Sequence, residues 1–113
     1  MLALHRTLLV LETAPGKAPF LDWLENLGDK RLKATVEARL TRLVDGNLGD
    51  HRFVGSGVYE LRIHSSPGLR IYYGLTTQAI VVLIGGGTKS TQSADILKAH
   101  ERWKEYLDEH TRV

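Results

Sequence analysis

Two alternating stretches, Val58 to His64 and Leu69 to Tyr73, are separated by Ser65-Ser66-Pro67-Gly68, and they constrain the fold more than any other part of the chain. In the first, Tyr59, Leu61 and Ile63 take one side and Glu60, Arg62 and His64 the other; in the second, Leu69, Ile71 and Tyr73 alternate with Arg70 and Tyr72. A period of two marks half-buried strands, and the Pro-Gly break between them marks a hairpin. Opposed residues on paired strands share a face, so the apolar sets must meet. That places Ile63 opposite Leu69 and Leu61 opposite Ile71, with residues 64–68 as the connection. It also sets Arg62 opposite Arg70 and Glu60 opposite Tyr72.

The remaining elements follow from the same reasoning. Leu2 to Thr13 reads as a strand stopped by Pro15-Gly16. Pro19 suits a first helical turn, and Phe20, Trp23, Leu24 and Leu27 follow at helical spacing until Gly28. Asp29 can cap a second helix whose stripe is Leu32, Val36, Leu40 and Leu43 and which ends at Gly46-Asn47. Asn47 to Gly57 reads as a loop. Ala79 to Ile84 is a continuous apolar run, as in a covered or central strand, and Gly85-Gly86-Gly87 closes it. A last helix starts near Ser90 to Ser93, with Ile96, Ala99, Trp103, Tyr106 and Leu107 on its apolar side. The expected fold is α+β in the order β-α-α-β-β-β-α, with a small, mostly antiparallel sheet, two N-terminal helices on one face and a C-terminal helix. At 113 residues, one domain over 1–113 is expected, since two would each bury too little.

Two arginines directly opposed cost stability unless something negative lies between them. Two readings of this face are open: an ordinary wet sheet surface on which Glu60 neutralises one arginine, or a site for an anion. Guanidinium groups bind phosphate through paired charge-assisted hydrogen bonds and stay protonated, which suits stabilisation of a phosphorane. Gly85-Gly86-Gly87-Thr88-Lys89-Ser90 brings a lysine and hydroxyls to a strand end just before a helix, an arrangement that commonly holds anions. Arg62, Arg70 and Lys89 are therefore the central candidates, with Arg52, Thr88 and Ser90 as further phosphate contacts. His64 shares the Arg62 face and can exchange a proton with a ribose hydroxyl, or be a plain turn histidine. Tyr72, beside Arg70, can stack on a base, whereas Tyr73 points into the core. Trp23 and Trp103 fall on apolar helix stripes and are read as core.

Charge agrees with this placement. The net charge is only +2, but residues 51–94 carry Arg52, Arg62, Arg70 and Lys89 against the single acid Glu60. Such local excess suits an anionic partner. The glycine run fails the phosphate-binding-loop pattern of nucleotide hydrolases, with Leu83 at its first glycine position and Thr88 just before Lys89. The five histidines, at 5, 51, 64, 100 and 110, show no metal-ligand spacing, so neither metal nor cofactor is expected. The absence of cysteine fits a reducing compartment, and no run approaches the roughly 20 apolar residues of a membrane span. A cytoplasmic protein with no membrane association is the expectation.

At these residues the chain resembles the RelE/ParE toxin superfamily, and within it the HigB-type branch of phage-derived addiction-module killer proteins. The resemblance runs from about Phe20 to the last helix. It rests on Phe20-Leu-Asp-Trp-Leu, Gly46-Asn-Leu-Gly-Asp50, Val54-Gly-Ser-Gly-Val-Tyr-Glu-Leu-Arg-Ile63, Pro67-Gly-Leu-Arg-Ile-Tyr-Tyr73 and Gly86-Gly-Thr-Lys-Ser-Thr-Gln92. It implies a toxin that cleaves messenger RNA, typically on the ribosome and without metal, through attack of a 2′-hydroxyl on the adjacent phosphate. Arg62 and Arg70 would then stabilise the phosphorane and Lys89 assist the leaving oxygen. His64, Tyr72 and Glu60, in that order, are the candidate bases. Thr88 stands where the family's run has an acid, so no ion pair follows from that position. A helix-turn-helix antitoxin of the HigA kind, encoded nearby, is implied as partner. Alternatives on the same fold are a ParE-like toxin that binds DNA gyrase, and a remnant that keeps only antitoxin binding.

Overall fold

Strand parity decides the architecture. In the computed structural model, which describes residues 7–64, 67–76 and 80–110, the elements run β1 (Thr7–Val10), α1 (Pro19–Glu25), α2 (Lys30–Val44), β2 (His51–Phe53), β3 (Val58–Ile63), β4 (Leu69–Leu75), β5 (Ile80–Thr88) and α3 (Gln92–His110), with a short 3-10 turn at Lys89–Thr91. They build a five-stranded mixed sheet in the order β1-β5-β4-β3-β2, in which only the β1–β5 pair is parallel. The β3–β4 register has Ile63 facing Leu69, Leu61 facing Ile71, Arg62 facing Arg70 and Glu60 facing Tyr72, as the alternation requires. The part of the first strand expected at residues 2–6 lies outside the described residues, as do Ser65 and Ser66 of the hairpin connection.

The two helices after β1 form as their sequence dictates. Pro19 opens α1, and the Asp29 carboxylate caps α2 by accepting from the Arg31 backbone N–H at 2.8 Å. Gly46, at φ 88°, takes the left-handed conformation that lets the chain leave α2. Phe20, Val36 and Leu43 of these helices are buried with Leu61, Ile63, Leu69, Ile71, Tyr73, Val81 and Leu83 in one core on one face of the sheet.

The opposite face is the one that differs from expectation. Helix α3 lies across it and forms a second core, in which Ala99 and Trp103 pack on Leu11, Val58, Tyr72, Val82 and Ile84. The sheet is therefore covered on both sides along β4 and β5, and α3 stops short of Arg62. Leu107, expected on the apolar side of this helix, is 37% exposed at its margin.

Two further expectations are corrected. A fifth strand, β2, precedes the hairpin and pairs with β3 through Arg52↔Glu60, inside what reads as a loop. The glycines 85–87 do not end β5 but belong to it, paired with Tyr72, Ile71 and Arg70. They are there for close approach: a Cβ on Gly86 would run into the Trp23 ring of α1, and one on Gly87 into the Asp95 carboxylate at the start of α3. Glycine thus lets both covering layers come down on the same strand.

Replacing Gly86 by valine should therefore lower stability by about 1–3 kcal/mol through overpacking. Urea unfolding of Gly86→Val should show this loss, and the same change in a Trp23→Ala background should cost clearly less; equal costs in the two backgrounds would place the strain elsewhere.

Candidate functional site

The part of the second face that α3 leaves uncovered is charged. Glu60, in the middle of β3, is completely buried, and desolvation alone would favour its neutral form. Three guanidiniums offset this. The Arg62 Nε donates to Glu60 Oε1 at 2.9 Å, while the Nε atoms of Arg52 and Arg70 stand 3.5 and 3.9 Å from the same oxygen. The other oxygen, Oε2, accepts from Gln92 Nε2 at 2.8 Å, which ties the first turn of α3 to the sheet. Together these interactions hold the Glu60 carboxyl below its usual range in spite of burial.

The cations grade from buried to open. The Arg70 side chain is 8% exposed and its Nη1 donates to the Leu69 carbonyl at 3.2 Å; Arg62 is 25% exposed and Arg52 is 53% exposed. Lys89 is set beside them because its backbone N–H donates to the Gly68 carbonyl at 3.0 Å, joining the end of β5 to the hairpin connection. Among the described residues no carboxylate lies within ion-pair distance of the Lys89 ammonium. Arg52, Arg62, His64, Pro67, Gly68, Arg70, Lys89 and Gln92 line one open depression of about 670 Å³. That is ample for a phosphate and its sugar, since small-ligand pockets span about 300–1,000 Å³.

The structure thus brings together Arg52, Arg62, Arg70, Lys89 and His64 of the expected set. It does not bring Tyr72 with them. Tyr72 is only 1% exposed and forms part of the floor under α3, so it cannot stack on a base. Parity puts it on the arginine face correctly, but the last helix covers that half of the face. Burial, together with the Glu60 and Asp95 carboxylates, pushes its phenol well above the ordinary tyrosine value, so it is no base either. Thr88 and Ser90 are not among the residues that line the depression. The Thr88 hydroxyl lies 2.9 Å from that of Ser90, and Thr88 and Thr91 cap the helix start reciprocally.

Three contributors are not legible in the sequence as site residues. Gln92 anchors Glu60, Asp50 pairs with His64 through Oδ2 and Nε2, and Arg39 of α2 donates to the Arg62 carbonyl at 3.1 Å. The Asp50 carboxyl is held below its usual value, chiefly by the hydrogen bond to His64. Among the described residues no cluster of three His, Asp or Glu side chains is placed to hold a metal ion, and no helix is long and apolar enough to cross a membrane.

No protein-family model matches the chain. A protein of Haemophilus influenzae, described as an uncharacterized protein, is 44% identical over 80 residues, which span 71% of this chain and 81% of that protein. Among solved structures, the free-state double arginine-to-alanine mutant of the E. coli toxin RelE superimposes with a TM-score of 0.59 at 14% identity, over 88% of this chain and 96% of that one. The chain has the RelE-like α+β fold and belongs to one family with the Haemophilus influenzae protein.

Because the folded-state value of Glu60 is depressed, the unfolded chain takes up the proton more readily, and stability falls as pH drops below the ordinary glutamate value of 4.5. Glu60→Gln should remove most of that acid-side slope and cost about 1–3 kcal/mol at neutral pH, as expected for lost charge-assisted hydrogen bonds. Denaturant titrations between pH 3 and 7, in steps of about one unit, would show an unchanged slope if the carboxylate were not the keystone.

Proposed function

We propose that this protein is the toxin of a type II toxin–antitoxin module, of the HigB-like kind, and that it is an endoribonuclease cutting messenger RNA on the ribosome. The observation that carries the reading is the cationic pocket, with Arg62 and Arg70 opposed across the hairpin and Lys89 at its rim. The RelE-like fold supports the same reading, as the matched E. coli protein is described as a toxin.

In this reading a messenger phosphate docks between Arg62 and Arg70, whose charge-assisted hydrogen bonds tighten as the phosphorane forms. Arg52 extends the positive track toward a neighbouring phosphate, and Lys89 offsets charge on the departing 5′ oxygen. No metal or cofactor is called for, because fixed guanidinium charge takes the electrostatic part. Of the three candidate bases, Tyr72 is sealed under α3 and Glu60 is buried with a depressed proton affinity, which leaves His64 to accept the 2′-hydroxyl proton. The implied partners are messenger RNA, the ribosome and a cognate helix-turn-helix antitoxin of the HigA kind. The implied place of action is the cytoplasm.

Purified protein added to translating ribosomes should generate new transcript ends, and Arg70→Ala and Arg62→Ala should each reduce cleavage by about 10²–10³-fold, the loss typical of removing one preorganised donor at a developing charge. Growth on induction should recover in parallel. Growth arrest that survives the double substitution and tracks DNA damage would instead indicate a gyrase-binding toxin, and folded protein with neither arrest nor cleavage would indicate an antitoxin-binding remnant.

A further inference from the structure

The loop ahead of β2 is built to deliver one carboxylate to the pocket rim. Its backbone is tied to β3, and that point of β3 is in turn tied to α2. The Arg62 N–H donates to the Asp50 carbonyl at 2.8 Å, and the Arg39 guanidinium of α2 donates to the Arg62 carbonyl at 3.1 Å. Asn47 Oδ1 accepts from the Gly49 N–H at 3.1 Å, and Gly49 sits at φ 60°. That left-handed conformation favours glycine, and a Cβ there would also meet the tip of the Arg39 guanidinium and push it from its place. The effect is to place the Asp50 carboxylate against His64 Nε2, just beyond the end of β3, with Arg62 and Arg39 as the charged neighbours of that carboxylate.

We infer that Asp50 is the positioning residue of an Asp50–His64 dyad that serves as the proton-transfer device of this site. The inference rests on the ribonuclease reading above and adds to it the group that orients the base. A carboxylate accepting from Nε2–H fixes the neutral imidazole in the tautomer whose basic nitrogen is Nδ1. His64 also forms part of the pocket wall beside Arg62 and Arg70. The step balances simply: Nδ1 takes the 2′-hydroxyl proton, the 2′ oxygen bonds to phosphorus, and the bond from phosphorus to the 5′ oxygen breaks. The leaving oxygen gains a proton from Lys89 or water. The products are a 2′,3′-cyclic phosphate and a 5′-hydroxyl end. Asp50 touches none of the reacting atoms, and its effect on rate passes through His64.

Single-turnover cleavage of ribosome-bound message tests this with His64→Ala, Asp50→Asn, Asp50→Glu and the double variant Asp50→Asn/His64→Ala. His64→Ala should slow cleavage about 100-fold or more, the usual range for a lost general base, and Asp50→Asn about 10-fold. The double variant should be no slower than His64→Ala alone, since a group acting through the base has nothing left to orient. Asp50→Glu should recover part of the rate. Short-RNA binding, followed by fluorescence anisotropy, should stay within about twofold for these variants and fall sharply for Arg70→Ala, because guanidinium contacts carry phosphate affinity. Circular dichroism confirms that each variant is folded. Wild-type rates for Asp50→Asn, or losses that multiply in the double variant, would overturn the dyad and leave the ribonuclease reading standing. A wild-type protein that leaves every message intact would overturn both.

Discussion

One buried carboxylate makes the rest of the site possible. An isolated charge at the position of Glu60 would cost several kcal/mol in desolvation, and the fold meets that cost by surrounding it with three guanidiniums and the Gln92 amide. The same arrangement removes the apparent contradiction of Arg62 facing Arg70 across the hairpin. Each arginine borrows part of one negative charge, and the cluster as a whole stays positive. Two features usually set against each other, a neutralised sheet surface and a positively charged depression, are here the same object: Glu60 orders the arginines without satisfying them.

The second constraint is how far α3 reaches. Its apolar side needs a floor, which the sheet supplies through Val58, Tyr72, Val82 and Ile84, and the floor ends where Arg62 and Arg70 begin. Gly86 and Gly87 set the depth of this packing, because a side chain at either position would lift α1 or the start of α3 from β5. The depression is therefore the uncovered remainder of a sheet face, bordered by a helix that is chemically tied to it through the bond from Gln92 to Glu60.

These two constraints explain what was legible in advance. The hairpin register, and with it the opposition of Arg62 and Arg70, follows from side-chain parity, which allows no slip without turning Leu61, Ile63, Leu69 and Ile71 to the wrong face. The helices α1 and α2 were legible because their stripes and caps are local signals. Parity assigns a face, however, and says nothing of what lies on it. That is why Tyr72 reads as available for stacking and is found in a core. The strand β2 is hidden for another reason: His51, Arg52 and Phe53 are all exposed and show no alternation, and they become a strand only because β3 offers them an edge. Asp50 is hidden because its partner lies fourteen positions further along the chain.

The division of labour in the pocket follows from proton chemistry more than from position. Arginine keeps its charge throughout the neutral range, so Arg52, Arg62 and Arg70 can bind and stabilise but cannot take a proton from a hydroxyl. Glu60 carries a negative charge, but the interactions that hold it in place lower its appetite for a proton, and its burial closes it to the depression's contents. His64 supplies the one imidazole among the side chains that line the depression, and imidazole is the group most often used to move a proton in general acid–base chemistry. On the ribonuclease reading proposed above, a site whose fixed charges are committed to binding would have its chemistry concentrated at His64, and the geometry of the loop that presents Asp50 would bear on rate while leaving phosphate affinity to the arginines.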